Sequence, residues 1–303
     1  MGFLLRDFGG MFIGGGPKRG ADGKTRHEGG GYLSWFEPEA AREVSVTFIH
    51  GGGGQSTDFI RTPDGRQGWL HRFLEAGFRV NLLDRPGHGR AARGTGRQLA
   101  APDYEMMSAR FMHPARAALW PDAALHDKWP EGADDPFMAS QGGMAPSLAE
   151  AQAQAEAIAP ALFAQIGPSV LISHSAGSPC AWAMASHAQN SQIKAILALE
   201  PQGAPGMEHP LGRFEGLTVC PPKGPQDPFA CPLAIMTAEA SWMGQSNAEV
   251  VQFLAQKGYQ VEHLKLAERG LKGNGHMLMS ESNSDQVAAL AIDWIIGTLG
   301  RQS

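Results

Sequence analysis

Blocks of apolar residues at strand and helix spacing run along this chain, separated by Gly- and Pro-rich breaks. Residues 8–16 and 31–37 read as two strands, joined by a polar, Gly-rich turn and paired antiparallel. Residues 44–49 are β-branched and apolar, a third strand. A helix is predicted over 68–76, with Trp69, Leu70, Phe73 and Leu74 on one face and Gly77 closing it. Residues 78–83 form a fourth strand. Regularity is then lost from about Ala91 to Ala145, where Met106, Met107, Phe111, Met112, Trp120, Trp129, Phe137 and Met138 are scattered among prolines and charges.

Order returns at Ser147-Leu148-Ala149-Glu150, a capping box. Leu148, Ala151, Ala155, Ile158, Leu162 and Ile166 then form one apolar helix face, which Gly167-Pro168 stops. Further strands are predicted at 170–173, 193–199, 233–237 and 261–266, with helices at 176–187 and 248–257. A closing helix turns Val287, Leu290, Ala291, Trp294, Ile295 and Leu299 inward. Strands alternating with helices after the third strand imply right-handed crossovers. The expected fold class is therefore α/β, with a mostly parallel eight-stranded sheet flanked by helices. Residues 1–90 and 146–303 would form the core and 91–145 a cap or lid insertion over an apolar cavity; the plainer alternative is a satellite cluster covering the sheet.

The chain has 303 residues, enough for one large domain with an insertion. With 43% hydrophobic and 18% charged residues it can bury a sizeable core. A net charge of −5 and no basic run longer than two residues argue against a nucleic-acid partner. No apolar stretch approaches the ~20 residues that a membrane span needs. Cys180, Cys220 and Cys231 are too few for a disulfide framework. Cys220 and Cys231 lie in one Pro-rich loop and could pair in an exported protein, but free thiols are the expectation. Residues 1–7 lack a basic region followed by a long apolar one, so no signal peptide is expected and the cytoplasm is the expected location, export staying open for a shortened chain.

Chemistry concentrates at Ser173-His174-Ser175-Ala176-Gly177, a small-x-Ser-x-Gly pattern between a strand and a helix. In such an elbow Ser175 would sit at the tip of a tight turn, and the N–H of Ala176 would face an oxyanion at a helix start. Serine at its ordinary pKa is a poor nucleophile and needs a base held by a carboxylate. His276, in Gly273-Asn274-Gly275-His276-Met277 after the last strand, is the expected base, with Met277 and Leu278 anchoring it from below. His263 is its competitor, but lies inside a strand pattern. Two acids qualify: Glu200, which closes an apolar strand, and Glu239, which follows the next one. Both stand at the carboxyl edge of the sheet, where open α/β sheets place their sites. His50-Gly51-Gly52-Gly53-Gly54 leaves backbone N–H groups unshielded, so Gly52, then Gly53, would donate to the oxyanion alongside Ala176, with His50 orienting the loop. Gln55 stands where a phosphate-binding loop needs Lys. Gly87-His88-Gly89 opens no predicted helix, and no metal-ligand spacing appears.

Together His50-Gly51-Gly52-Gly53, Asp84-Arg85-Pro86-Gly87-His88-Gly89, Ser173–Gly177 and Gly275-His276 resemble the α/β-hydrolase superfamily, in order and over nearly the whole chain. Within it, Ala198-Leu199-Glu200-Pro201, the Gly273–Met277 turn and the Gly-rich N-terminal strands are similar to a bacterial esterase subgroup. Members of that subgroup take their acid as a Glu at the end of the strand after the elbow. The resemblance implies a Ser175–His276–Glu200 triad, with Glu239 as the alternative acid. Where subgroup members carry two adjacent cysteines, this chain has Gly52 and Gly53. The expected activity is serine hydrolysis of an apolar or aromatic carboxylic ester, lactones included, with no cofactor. Carbon–carbon or amide hydrolysis on the same triad, or a silent binding module, are the alternatives. The oligomeric state is open, a homodimer among the options.

Overall fold

The computed structural model describes residues 4–91, 102–143, 145, 147–189, 191–207 and 219–301. Strands β1 (Leu5–Arg19) and β2 (Thr25–Pro38) form a long antiparallel hairpin. Strands β3 (Ser45–Ile49), β4 (Val80–Asp84), β5 (Ser169–His174), β6 (Ile193–Leu199), β7 (Leu233–Thr237) and β8 (Val261–Lys265) complete one eight-stranded sheet. Its order is β1-β2-β4-β3-β5-β6-β7-β8, with β2 antiparallel to β4 and all pairs from β4 to β8 parallel. Parallel neighbours need crossovers, and these supply the main helices α1 (Trp69–Glu75), α5 (Leu148–Ile166), α6 (Gly177–Ala185), α7 (Gly244–Gln256) and α8 (Ser284–Gly300).

Side chains alternate across each strand, so the apolar strands feed two cores. On one face Val46, Phe48, Leu82, Ile172, Leu197 and Met236 pack against α1 and α8. On the other, Ile49, Leu83, Leu171, Ile196 and Ile235 pack against α5, α6 and α7. Every residue of α6 is buried, which explains its run of small side chains. The Ser147 hydroxyl accepts from Glu150 N at 3.1 Å, capping α5 as its sequence foretells. The helix expected over 248–257 starts earlier, at Gly244.

The stretch read as irregular holds short helices: α2 (Tyr104–Met107), a π-helical turn (Ser108–Met112), α3 (Pro114–Ala117) and α4 (Asp134–Ser140). Each is too short to show a 3.6-residue period. Met107, Met112 and Phe137 are buried in the α1/α8 core together with Met277, Leu278 and Met279. Residues 92–101, at the start of the expected insertion, lie outside the described residues. No disulfide joins Cys180, Cys220 and Cys231. Among the described residues no helix is long and apolar enough to cross a membrane.

Candidate active site

Parallel strands end at one edge of the sheet, and the adjacent ends of β5 and β6 set two of the sequence-predicted residues side by side. His174 pairs with Leu199 in the sheet, so Ser175 and Glu200 are the next residue on each strand. Both have left-handed backbones, φ +50° and +51°. Non-glycine residues hold that conformation only where surrounding contacts over-determine it. For Ser175 those contacts include its N–H donating to Leu199 O at 2.9 Å and its C=O accepting from Ser178 N at 3.0 Å. Glu200 N donates to Met236 O at 2.9 Å.

A Cβ on Gly177 would strike His50 O and lie 2.9 Å from Ile49 O. The start of α6 therefore lies flush against the end of β3, and only glycine fits. The glycine loop that follows β3 is pinned by its carbonyls. Arg85 Nη2 donates to Gly51 O at 2.6 Å, His88 Nε2 lies 2.7 Å from Gly52 O, and Gly142 N donates to Gly53 O at 2.6 Å. Among the described residues, the N–H groups of Gly52, Gly53 and Ala176 donate to no backbone carbonyl. His50 accepts from Arg85 N through Nε2 at 3.1 Å, which leaves its Nδ1–H for Gly51 O at 2.9 Å. Burial first, then the Arg85 charge, push His50 well below the usual histidine range and His88 down to about 4. Arg85 is itself buried and forms no ion pair among the described residues, so its positive charge stands behind the loop.

His276 is 1% exposed, and its Nδ1 lies 3.6 Å from Glu200 Oε2. Its carbonyl accepts from His174 Nε2 at 3.0 Å, tying the His276 turn to the residue before Ser175. The rings of His174, Phe111 and Trp242 surround the imidazole at 4.8, 5.3 and 5.3 Å. Among the described residues, neither of its ring nitrogens has a hydrogen-bond partner. Glu200 accepts from Ala238 N and Ser241 Oγ, both at 2.5 Å, and from Asn247 Nδ2 at 3.2 Å. Burial nevertheless pushes Glu200 up to about 8, with the nearby Glu281 charge adding to the rise. Burial pushes His276 down to about 3. Both groups lean toward their neutral forms.

The two candidate acids part company here. Glu239 accepts from Gly273 N at 2.9 Å and so braces the turn that carries His276. His263 is bonded to Thr237 Oγ1 at 2.9 Å, away from this cluster. Sequence reasoning passed over His174, Ser241, Asn247 and Trp242. Only His174 carried a usable signal, as the variable residue within the elbow. An open cleft of about 530 Å³ lies within the 102–143 segment, lined by polar residues such as His113, Arg116, Glu131 and Asp135. It includes none of the site residues named above.

The same architecture occurs in known proteins. A solved structure titled a novel bacterial esterase aligns over 98% of both chains, with a TM-score of 0.66 at 20% identity. This chain has the α/β-hydrolase fold. The esterase Est22 aligns over 96% of this chain and 80% of its own, with a TM-score of 0.49 at 12% identity. In sequence, a probable secreted lipase, phiG, from Fungal sp. is 29% identical over 317 residues, spanning 87% of this chain and 85% of that protein. No family model matches. The lipase corrects one expectation: a relative described as secreted points to an extracellular hydrolase, not a cytoplasmic one. A leader segment is read from the chain's first residues alone, which is weak ground for assigning a compartment.

Proposed function

We propose that this α/β-hydrolase cleaves carboxylic esters through an acyl-enzyme, with Ser175 as nucleophile, His276 as base and Glu200 as the carboxylate that orients it. The observation that carries the reading is the buried His276 imidazole. Among the described residues neither nitrogen has a hydrogen-bond partner, and one faces a carboxylate at 3.6 Å. A buried polar atom without a partner costs about 1–3 kcal/mol, and such atoms persist where chemistry uses them. Catalytic hydrogen bonds are often long before substrate binds and tighten afterwards.

In this mechanism Nε2 of neutral His276 takes the Ser175 proton as Oγ adds to the ester carbonyl. The N–H groups of Gly52 and Ala176, with Gly53 next, hold the resulting oxyanion, and the Arg85 charge behind the loop adds to the favourable field. The protonated imidazole returns its proton to the leaving alcohol. Water activated by His276 then releases the acid and regenerates Ser175. Glu200 pairs with Nδ1–H, which fixes the tautomer that leaves Nε2 free to accept. Residues 91–145 act as the cap in this reading, and the Phe111 and Trp242 rings beside His276 suit an apolar or aromatic ester or a lactone. The esterase and lipase relatives support ester hydrolysis as the reaction. The test is turnover of p-nitrophenyl esters by the parent and by Ser175→Ala, with parental turnover in the variant contradicting the proposal.

A further inference from the structure

Behind His276 lies a second buried carboxylate that the reaction above does not use. Glu281 and His126 have side chains 0% and 2% exposed. Glu281 Oε1 accepts from Gly275 N at 2.7 Å and from His126 Nε2 at 3.1 Å. Its Oε2 accepts from Asn274 Nδ2 at 2.6 Å. One carboxylate thus gathers the two residues before His276 and a histidine from a distant part of the chain.

His126 belongs to the 102–143 segment, and its neighbours add to the clamp. Asp127 N donates to Gly273 O at 3.1 Å, and Ser282 N donates to Lys128 O at 2.8 Å. The glycines of the turn are shaped to this contact. A Cβ on Gly273 would strike Asp127 Oδ1, and one on Gly275 would lie 2.8 Å from His126 Cδ2 and 3.1 Å from Glu281 Oε1. From sequence these glycines read as freedom for a loop. In the fold they are the seats on which residues 126–128 press.

We infer that His126 is a positioning residue for His276: through Glu281 it fixes the Gly273–His276 turn, so residues 126–128 hold the base in place rather than merely cover the cavity. The inference rests on the proposed triad. It also divides the segment, because residues 126–128 stay with the core whatever the rest of the segment does on substrate entry.

The test compares His126→Phe, which removes the donor, with His126→Gln, whose amide can donate to Glu281 again. Activity is normalised to the active fraction by burst titration. A misplacement of about 1 Å at a reacting group can cost roughly 10²-fold in rate. His126→Phe is expected to lower kcat by about 10²-fold with KM within several-fold, and to slow fluorophosphonate labelling of Ser175 in parallel. His126→Gln is expected to restore kcat to within several-fold of the parent.

Glu281→Gln gives a second readout. Glu281 faces His126, Asn274 and, across the site, Glu200. Arg66 meets its backbone carbonyl at 3.0 Å, Asp127 and Lys128 flank His126, and Glu239 braces Gly273. Removing the Glu281 charge relieves the pressure on Glu200 to stay protonated, so the rising limb of kcat/KM should move to lower pH. Labelling of His126→Phe at the parental rate, or a Glu281→Gln profile identical to the parent's, overturns this inference and leaves the triad standing. A parent that neither labels at Ser175 nor turns over esters overturns the triad, and this inference with it.

Discussion

Two buried histidine–glutamate pairs lie close together in this fold, and they are built differently. In the His126–Glu281 pair the imidazole donates at 3.1 Å, and the carboxylate is further held by Gly275 N and Asn274. In the His276–Glu200 pair the separation is 3.6 Å, the carboxylate takes its hydrogen bonds from other groups, and the imidazole takes none. The first pair is satisfied, as buried polar groups usually are. The second is left incomplete at the edge of the sheet, where the Ser175 turn stands. In the proposed mechanism, burial alone therefore does not mark the reactive pair; unused hydrogen-bonding capacity does.

Removing the proposed nucleophile should break the comparison most severely. Ser175→Ala is expected to lower kcat by about 10⁴-fold or more in steady-state ester hydrolysis while leaving Tm near the parent's. The carboxylates come next. Glu200→Ala should cost roughly 10³–10⁴-fold. Glu239→Ala, which loses only a brace on Gly273, should cost no more than several-fold, and equal losses in the two variants would reverse the assignment. Gly177→Ala sharpens the geometric claim, because its new methyl meets His50 O. Overpacking of this kind costs about 1–3 kcal/mol, visible as a lower midpoint in denaturant.

Protonation separates the pairs more gently. A protonated Glu200 would hold His276 in the wrong tautomer, so kcat/KM should rise with pH through the neutral range toward about 8. A flat profile from pH 5 to 8 would contradict this. The smallest effect is on stability. Glu200 has its folded pKa raised from 4.5 to about 8, so its contribution is complete below pH 4.5 and is lost as pH rises through about 8. Relative to Glu200→Gln, the parent should lose stability across that window, as thermal melts at a series of pH values would record.

The sheet was legible in the sequence because each buried strand is short, β-branched and bounded by Gly or Pro. The elbow was legible because steric crowding at Gly177 leaves few residues that fit. Glu200 was legible as the acid only through the family resemblance, since Glu200 and Glu239 both follow strands; in the fold one faces His276 and the other Gly273. Residues 102–143 were hardest to read. Their helices are too short for a period, and His126 meets Glu281 across 155 residues of chain. No local pattern encodes so distant a contact.

The most direct test of the central claim is peptide mapping after fluorophosphonate treatment of the parent and of His276→Ala. The expected result is a single adduct on Ser175 in the parent and little or none in the variant. An adduct on another residue, or equal labelling of Ser175 without His276, would contradict the account.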